Sequence, residues 1–358
     1  MRYSARKLRL QRQQYLALKR NYEPKNYFQL IKIMHKRFVN HCTIELSLIP
    51  QGAILIKSGQ EDINPSKPKM EFVQTFHSGG SSIYLPGSSL KGAIRSHAER
   101  IVRTVGSDKR PTDSDSNQLW ANDPLNDKYE YLKDQNNKDL PATEIYKKSS
   151  FTDQIFGNTS IASRIRIEDA YPQDKTKLKI EQRHGVAIDR VFGSVAVGPF
   201  DYEVCTSGEF HTKIHLKNFS LAQLGLVGLV LRDLNEGWFA IGFAKSRGLG
   251  NVKINYHKAV VQYPGCKLED NQIKAFGKQQ TWSNTALLGA GEFLQGENEN
   301  PYNFPFPDIQ NTSIEAEKME LNFGTQLIWN NEGEKTVSNL FELAVNEWSK
   351  LLTEGAAA

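Results

Sequence analysis

Apolar side chains recur with two distinct periods along the 358 residues. Val39, Cys42, Ile44, Leu46 and Leu48 nearly alternate, which predicts a half-buried strand over 38–48, stopped at Pro50-Gln-Gly52. A short apolar stretch (53–56) leads into a polar, Pro-containing loop (57–69), a further apolar run (70–76) and a turn (77–82). Period then changes. Leu90, Ala93, Ile94, His97 and Ile101 recur at helical spacing after Pro86-Gly87, with Ser88 and Ser89 as N-cap residues and an end near 104–106. Alternation returns over 161–170, stops at Tyr171-Pro172, and resumes over 202–216. Ser220 caps a second predicted helix, carried by Leu221, Leu224, Val227, Leu231 and Leu234. Residues 239–252 read as strand, loop and strand. An amphipathic helix over 337–352 closes the pattern, with Leu340, Phe341, Ala344, Val345, Trp348, Leu351 and Leu352 on its apolar face.

This order of strand, helix, strands, hairpin, strand, helix and strand predicts an α+β fold with a ferredoxin-like or RNA-recognition-motif-like core. Three parts lie outside the core pattern. Residues 1–35 read as a basic N-terminal arm, with Met34 as an alternative start. Residues 107–148 are rich in Asp, Asn, Lys and Ser, with sparse apolar positions, and read as an insertion with a short helix near 129–134. Residues 263–358 read as a C-terminal extension, leaving a core domain over 36–262 that carries a projecting hairpin at 182–200.

Composition narrows the function classes. Residues 1–37 hold eleven Lys and Arg and a single acid, Glu23, so the net charge of +5 is concentrated there and the remainder is slightly acidic. A local basic arm suits RNA phosphates or an acidic partner. No run of about eighteen apolar residues is present, which argues against a membrane span. Cys42, Cys205 and Cys266 are far apart and form no C-x-x-C pair, which disfavours disulfides and zinc and fits a cytoplasmic location.

The chemistry-bearing stretch is Leu85-Pro-Gly-Ser-Ser-Leu-Lys-Gly-Ala-Ile-Arg-Ser96. A helix start with two hydroxyls (Ser88, Ser89) and two cations (Lys91, Arg95) is suited to phosphate. It is not a nucleotide-binding P-loop, because Lys91 precedes Gly92 and Ala93 follows it. Gly242-Phe-Ala-Lys-Ser-Arg-Gly-Leu-Gly250 offers Lys245, Ser246 and Arg247 as phosphate donors, with glycines permitting close backbone approach to a ligand. His211 and His215 share a strand face. Two histidines without a third ligand or a carboxylate read as surface residues.

These segments resemble the RAMP superfamily of CRISPR–Cas effector proteins, in particular the backbone subunits of type III, and most of all type III-D, complexes. The stretch at 85–96 resembles the superfamily's helix-start motif, and 242–250 its glycine-rich loop. Phe156-Gly157 and Asp169-Ala170 resemble two shorter landmarks. Residues 184–200, with Ile188, Asp189, Arg190, Val191 and Phe192, resemble the thumb hairpin that wedges into a guide–target duplex. There Asp189 and Arg190 are expected to fix the hairpin base or reach the RNA backbone. The resemblance covers about 36–260 apart from the insertion. It implies binding of a crRNA guide and complementary target RNA, other type III effector subunits as partners, no membrane and no cofactor.

Cleavage is the point of departure from the family. Type III-D-like slicing subunits carry an Asp in the loop after the first strand, whereas here Pro68-Lys-Met-Glu-Phe-Val-Gln-Thr75 puts Lys69 at that place. An ammonium cannot ligate Mg2+, so the resemblance implies a subunit that holds RNA without cutting it. Asp62 and Glu71 are the alternative carboxylates for a metal-dependent nuclease. His77, His97 and His184 are the candidates for a guide-processing endoribonuclease. A structural cap with little RNA contact is the third alternative.

Overall fold

The computed structural model describes residues 37–59, 68, 70–77, 80–111, 119–123, 125, 129–294, 302–333 and 335–355. Strands β1 (His41–Pro50), β2 (Gln74–His77) and β3 (Gly80–Ile83) precede helix α1 (Gly87–Val105). Helices α2 (Ala142–Lys148) and α3 (Phe151–Phe156) follow, then β4 (Ile165–Ile167), β5 (Tyr171–Pro172), β6 (Lys179–Ile188), β7 (Val195–Ser207) and β8 (Phe210–Lys217). Helix α4 (Leu221–Asn235) leads to β9 (Val252–Tyr263). The C-terminal part adds β10 (Cys266–Glu269), β11 (Gln272–Ala275), β12 (Thr281–Ser283), β13 (Ala286–Leu288), β14 (Ile309–Asn311), β15 (Glu317–Lys318), β16 (Thr325–Trp329) and α5 (Val337–Gly355).

The result is a mixed α+β fold around a sheet ordered β15-β16-β9-β1-β8-β4, with β5 also paired to β8. Its pairings are antiparallel. Central β1 follows the period-two rule: Cys42, Ile44, Leu46 and Leu48 are buried in the core with Leu90, Ile94 and Val102 of α1 and Leu224, Val227 and Leu231 of α4. The intervening His41, Thr43, Glu45 and Ser47 therefore belong to the opposite face of the sheet.

Helix α4 is apolar around most of its circumference because it is covered twice, by the sheet on one side and by α5 on the other. A Cβ on Gly225 would stand 2.4 Å from the Ala344 carbonyl oxygen, so the two helices approach at backbone contact. The predicted Ser220 cap is present as a capping box, with Ser220 Oγ accepting from Gln223 N and Gln223 Oε1 accepting from Ser220 N.

Several expectations are corrected. The strand read over 161–170 shrinks to β4, with β5 a separate two-residue pairing. The strand read over 202–216 is two strands, β7 and β8, divided at Gly208. Residues 239–243 form no strand, and Lys245–Arg247 make a 3-10 turn before β9. The stretch at 107–148 contains α2, and four of its apolar residues, Trp120, Leu132, Ile145 and Tyr146, are buried, while Leu125 is exposed. They suffice because Tyr302 and Phe304 complete a second apolar cluster with Leu132, Ile145 and Tyr146. The guanidinium of Arg164 lies over both the Tyr146 and Phe304 rings. In the C-terminal part the short apolar runs 286–288 and 327–329 become β13 and the end of β16, and β16 extends the main sheet by pairing with β9. The arm at 1–35, including Met34, falls outside the described residues.

Gly225→Ala separates packing from propensity. Alanine favours the helix by about 1 kcal/mol, whereas intrusion on the α5 backbone costs about 1–3 kcal/mol. The variant is expected to melt about 2–4 °C lower by calorimetry; a raised midpoint would show that the α4–α5 contact yields easily.

Candidate nucleic-acid interface

Helix α1 starts one residue before the two serines expected to cap it. Pro86 occupies the N-cap position and offers no side-chain bond. The cap comes from elsewhere: Gly87 N donates to Asp169 Oδ1 at 2.7 Å. A side chain at Gly87 would collide with the Ile167 carbonyl oxygen, at 2.2 Å, which explains the glycine there. Ser88 and Ser89 thus sit in the first turn, with Lys91 one turn on. Lys91 Nζ donates to Ser163 Oγ at 2.7 Å.

Arg95 turns inward, contrary to a phosphate-facing role. Its Nε donates to Glu99 Oε1 at 2.8 Å, one terminal nitrogen to the Gly157 carbonyl oxygen at 2.8 Å and the other to Asp153 Oδ1 at 2.6 Å. Asp153 is wholly buried. Burial opposes the Arg95 charge, yet Glu99 and Asp153 outweigh it and hold its pKa above the usual range. This network joins α1 to the Phe156-Gly157 landmark.

Beside the helix start lies a cavity of about 420 Å³, lined by His41, Gly87, Ser88, Lys91, Arg166, His215 and Lys217 among others. Residues from α1, β1, β4 and β8 meet here, and the cations from the strands were not singled out in the sequence. His41 and His215 stack with ring centroids 5.5 Å apart. Burial lowers the His41 pKa, and the like charges of His215, Arg166 and Lys217 push it the same way. The rim is thus a field that favours anions. Arg166 also contacts Glu168 Oε1 at 3.0 Å, and His215 Nε2 lies 2.9 Å from the same oxygen.

Strands β6 and β7 form a long ribbon whose end is apolar and exposed. Val191 and Phe192 are 81% and 84% exposed, and Ile188, Val195 and Val197 are also largely open. Asp189 builds the tip and not the base: its Oδ1 accepts from Val191 N and Phe192 N, both at 2.8 Å, and its carbonyl accepts from Gly193 N. Arg190 is exposed beside it.

The glycine-rich loop carries Lys245, Ser246 and Arg247 exposed, outside the lining of the cavity. Arg247 lies over the Phe243 ring at 5.1 Å. Close approach at Gly250 is to the protein's own chain: a Cβ there would meet the Ile241 carbonyl oxygen at 2.0 Å, and its φ is +94°. Lys69 and Asp62 lie outside the described residues. Glu71 adjoins the base of the β6–β7 ribbon, since neighbouring Met70 bridges Tyr202. The three candidate histidines stand on different elements. His77 ends β2, and His184 on β6 pairs with Asp201 at 2.6 Å. His97 is packed inside α1 against Phe239, with Nε2 2.8 Å from Asp233 Oδ2. His211 and His215, read as lacking a carboxylate, each have one nearby in Glu209 and Glu168.

Two expected outcomes follow from this geometry. Arg95→Ala strands the buried Asp153 carboxylate and should cost about 3 kcal/mol, whereas Lys245→Ala should stay within about 0.5 kcal/mol; urea unfolding compares them, and equal losses would contradict the inward role of Arg95. A phosphate entering the cavity stabilises imidazolium, so a bound oligoribonucleotide should raise the His41 pKa in an NMR titration. No rise with RNA bound would place the phosphate elsewhere.

Comparison with known families bears on the whole arrangement. The model of the RAMP superfamily matches residues 49–253, from the end of β1 to the start of β9. A comparison with curated proteins finds no match. The matched stretch spans more than half of the 358 residues and takes in the helix start, the ribbon and the glycine-rich loop; the chain belongs to the RAMP superfamily.

Proposed function

We propose that this chain is a guide-binding backbone subunit of a type III, type III-D-like, CRISPR effector complex. It grips crRNA through the sugar-phosphate backbone and leaves sequence reading to base pairing with target RNA. The sheet order β9-β1-β8-β4 with α1 and α4 on one face supports a ferredoxin-like core for this role. The observation that carries the reading is the thumb tip. Val191 and Phe192 expose nearly their full apolar surface at the end of a ribbon, where a solvated turn has no use for them. Inserted between bases, they offset an unstacking cost of a few kcal/mol per step.

Ser88, Ser89 and Lys91 at the cavity, with Lys245, Ser246 and Arg247 on the loop, are the phosphate contacts in this reading. Arg95 is a positioning residue behind them. The protein holds the guide–target duplex without cutting it, since Lys69 stands where slicing relatives carry Asp. Mg2+ enters only if Asp62 or Glu71 takes over that role. Its partners are the neighbouring effector subunits, and its location is the cytoplasm. Among the described residues no helix is long and apolar enough to cross a membrane.

The primary test is copurification from the host under native conditions, followed by sequencing of bound RNA and identification of bound proteins. The expected result is guide RNA with CRISPR effector subunits; a chain recovered with neither would overturn the reading. For the contacts, Lys91→Glu with Lys245→Glu should weaken RNA binding and lower the salt dependence by about two counterions. An unchanged salt slope in the folded double variant would remove both sites. Val191→Ser with Phe192→Ser should preserve affinity while abolishing base displacement, read by 2-aminopurine fluorescence in the target strand. For cleavage, target RNA with the assembled complex and Mg2+ should remain intact; a cut abolished by Asp62→Ala or Glu71→Ala would make the subunit a nuclease.

A further inference from the structure

On the face of the sheet turned away from the helices, three potential metal ligands converge from separate parts of the chain. They are Glu209 in the turn before β8, His211 on β8 and His257 on β9, and their ligand atoms all lie within 4.8 Å of one another. The imidazoles stack with centroids 4.5 Å apart. Both flank Ser47 of β1, which is opposite His211 in the register and wholly buried. Ser47 Oγ lies 2.6 Å from His257 Nε2.

His257 reaches this face through a β-bulge. Lys258 pairs with Glu45 and Tyr256 with Leu46, so His257 is the extra residue between two pairings. Tyr256 is turned inward with its ring on Phe341 of α5, and the added residue leaves His257 to join His211 across β1. Bulges re-aim side chains in this way and are frequent near functional sites.

The spacing of the carboxylate distinguishes this cluster from an ordinary ion pair. Glu209 Oε1 stands 3.9 Å from His211 Nε2 and 4.0 Å from His257 Nε2, nearly equidistant and beyond hydrogen-bond range. Other His–carboxylate pairs in the same molecule close fully: His97–Asp233 at 2.8 Å, His184–Asp201 at 2.6 Å and His215–Glu168 at 2.9 Å. Glu209 Oε1, at 3.9 and 4.0 Å from the two nitrogens, needs to close on each by only about half an ångström for all three donors to stand about 2 Å from a shared tetrahedral ion. The adjacent Lys213 is neutralised by Glu45 at 2.9 Å.

From this geometry we infer that Glu209, His211 and His257 bind a borderline divalent metal ion of the zinc class. Two imidazoles and one carboxylate suit Zn2+ and Co2+ better than Mg2+, which prefers oxygen ligands. With three protein ligands a coordination position stays open for water or a substrate oxygen; the ion takes His257 Nε2 away from Ser47 Oγ, which now lies 2.6 Å from it, and frees that hydroxyl to bond to the water. The assignment stands whether or not the chain binds RNA.

The test uses the untagged full-length protein, stripped with a chelator and titrated with Co2+. Expected are visible d–d bands that saturate at one equivalent and are displaced by Zn2+. Glu209→Gln and His257→Ala should each weaken Co2+ binding at least about tenfold, while His184→Ala on β6, outside the cluster, leaves it unchanged. Circular dichroism establishes that each variant is folded; should His257→Ala not fold, Glu209→Gln on the exposed turn decides. Wild-type protein without saturable binding, or binding that survives Glu209→Gln, overturns the assignment.

Discussion

One extended stretch, residues 53–56, holds the signature segments in register through its backbone. Its two edges serve different neighbours. The Ala53 and Leu55 carbonyls accept from Gly250 and Phe243 of the glycine-rich loop. On the other edge Ile54 exchanges both backbone bonds with Cys205 at the thumb base, and the Ile56 carbonyl accepts from Val73. All four side chains are buried. Val73 then bonds to Tyr84, so the run before α1 is tied to the same stretch. Leaving such buried groups unpaired costs about 1–3 kcal/mol each. A slip by one residue would also exchange the two edges, because side chains and carbonyls alternate with period two. Loop, thumb and helix start are therefore set relative to one another by four apolar residues that carry no chemistry of their own.

The helix start shows how little a helix terminus alone decides. Asp169 already provides an anion to the first amide of α1, and the favourable term from a helix end is about 0.3–1 kcal/mol at an exposed site. A phosphate approaching α1 along its axis therefore meets a carboxylate. Attraction comes instead from the strands, where Arg166 and Lys217 face Lys91 across the cavity with His41 and His215 beneath. Asp153 and Glu99 offset most of the charge of Arg95, although it still joins burial in lowering the Lys91 pKa. Its contribution is mechanical: it fastens α1 to α3 and to Gly157, which keeps Lys91 where Ser163 receives it.

Legibility in the sequence followed the range of the interactions. Helices α1, α4 and α5 and the alternation of β1 rest on local periodicity, and their positions were readable to within a few residues. The β6–β7 hairpin was readable because its exposed apolar tip lies within one local stretch of sequence. What was missed depends on partners far away in the chain. Asp169 was visible only as a landmark, and its capping role needs Gly87, eighty-two residues earlier. The order in 107–148 depends on Tyr302 and Phe304, outside any local window. The split between β7 and β8 was hidden because the alternation runs across Gly208 with nearly unchanged phase. Glycines of the 242–250 loop suggested a ligand, but Gly250 accommodates the Ile241 carbonyl.

The face of the sheet opposite the helices is where sequence spacing says least and register says most. His211, Lys213, His215 and Lys217 recur at period two on β8, so they share a face over a span of about 20 Å. Their neighbours divide that span into two environments. At one end His41 and Arg166 join His215 and Lys217 in a cationic rim. At the other, the bulge brings His257 to His211, and Glu209 supplies a negative charge. The Lys213–Glu45 pair lies between them and cancels charge at the middle. Two imidazole pairs that each draw one member from β8 thus differ in their surroundings: His41–His215 stands among Arg166, Lys217 and Lys91, with Glu168 held by His215 and Arg166, while His211–His257 has Glu209 nearly equidistant from both rings. That difference rests on one extra residue in β9. Continued from the Glu45–Lys258 pairing, a regular ladder would place Tyr256 and His257 on the opposite faces to those they occupy, removing the ligand from one side and the aromatic contact with Phe341 from the other.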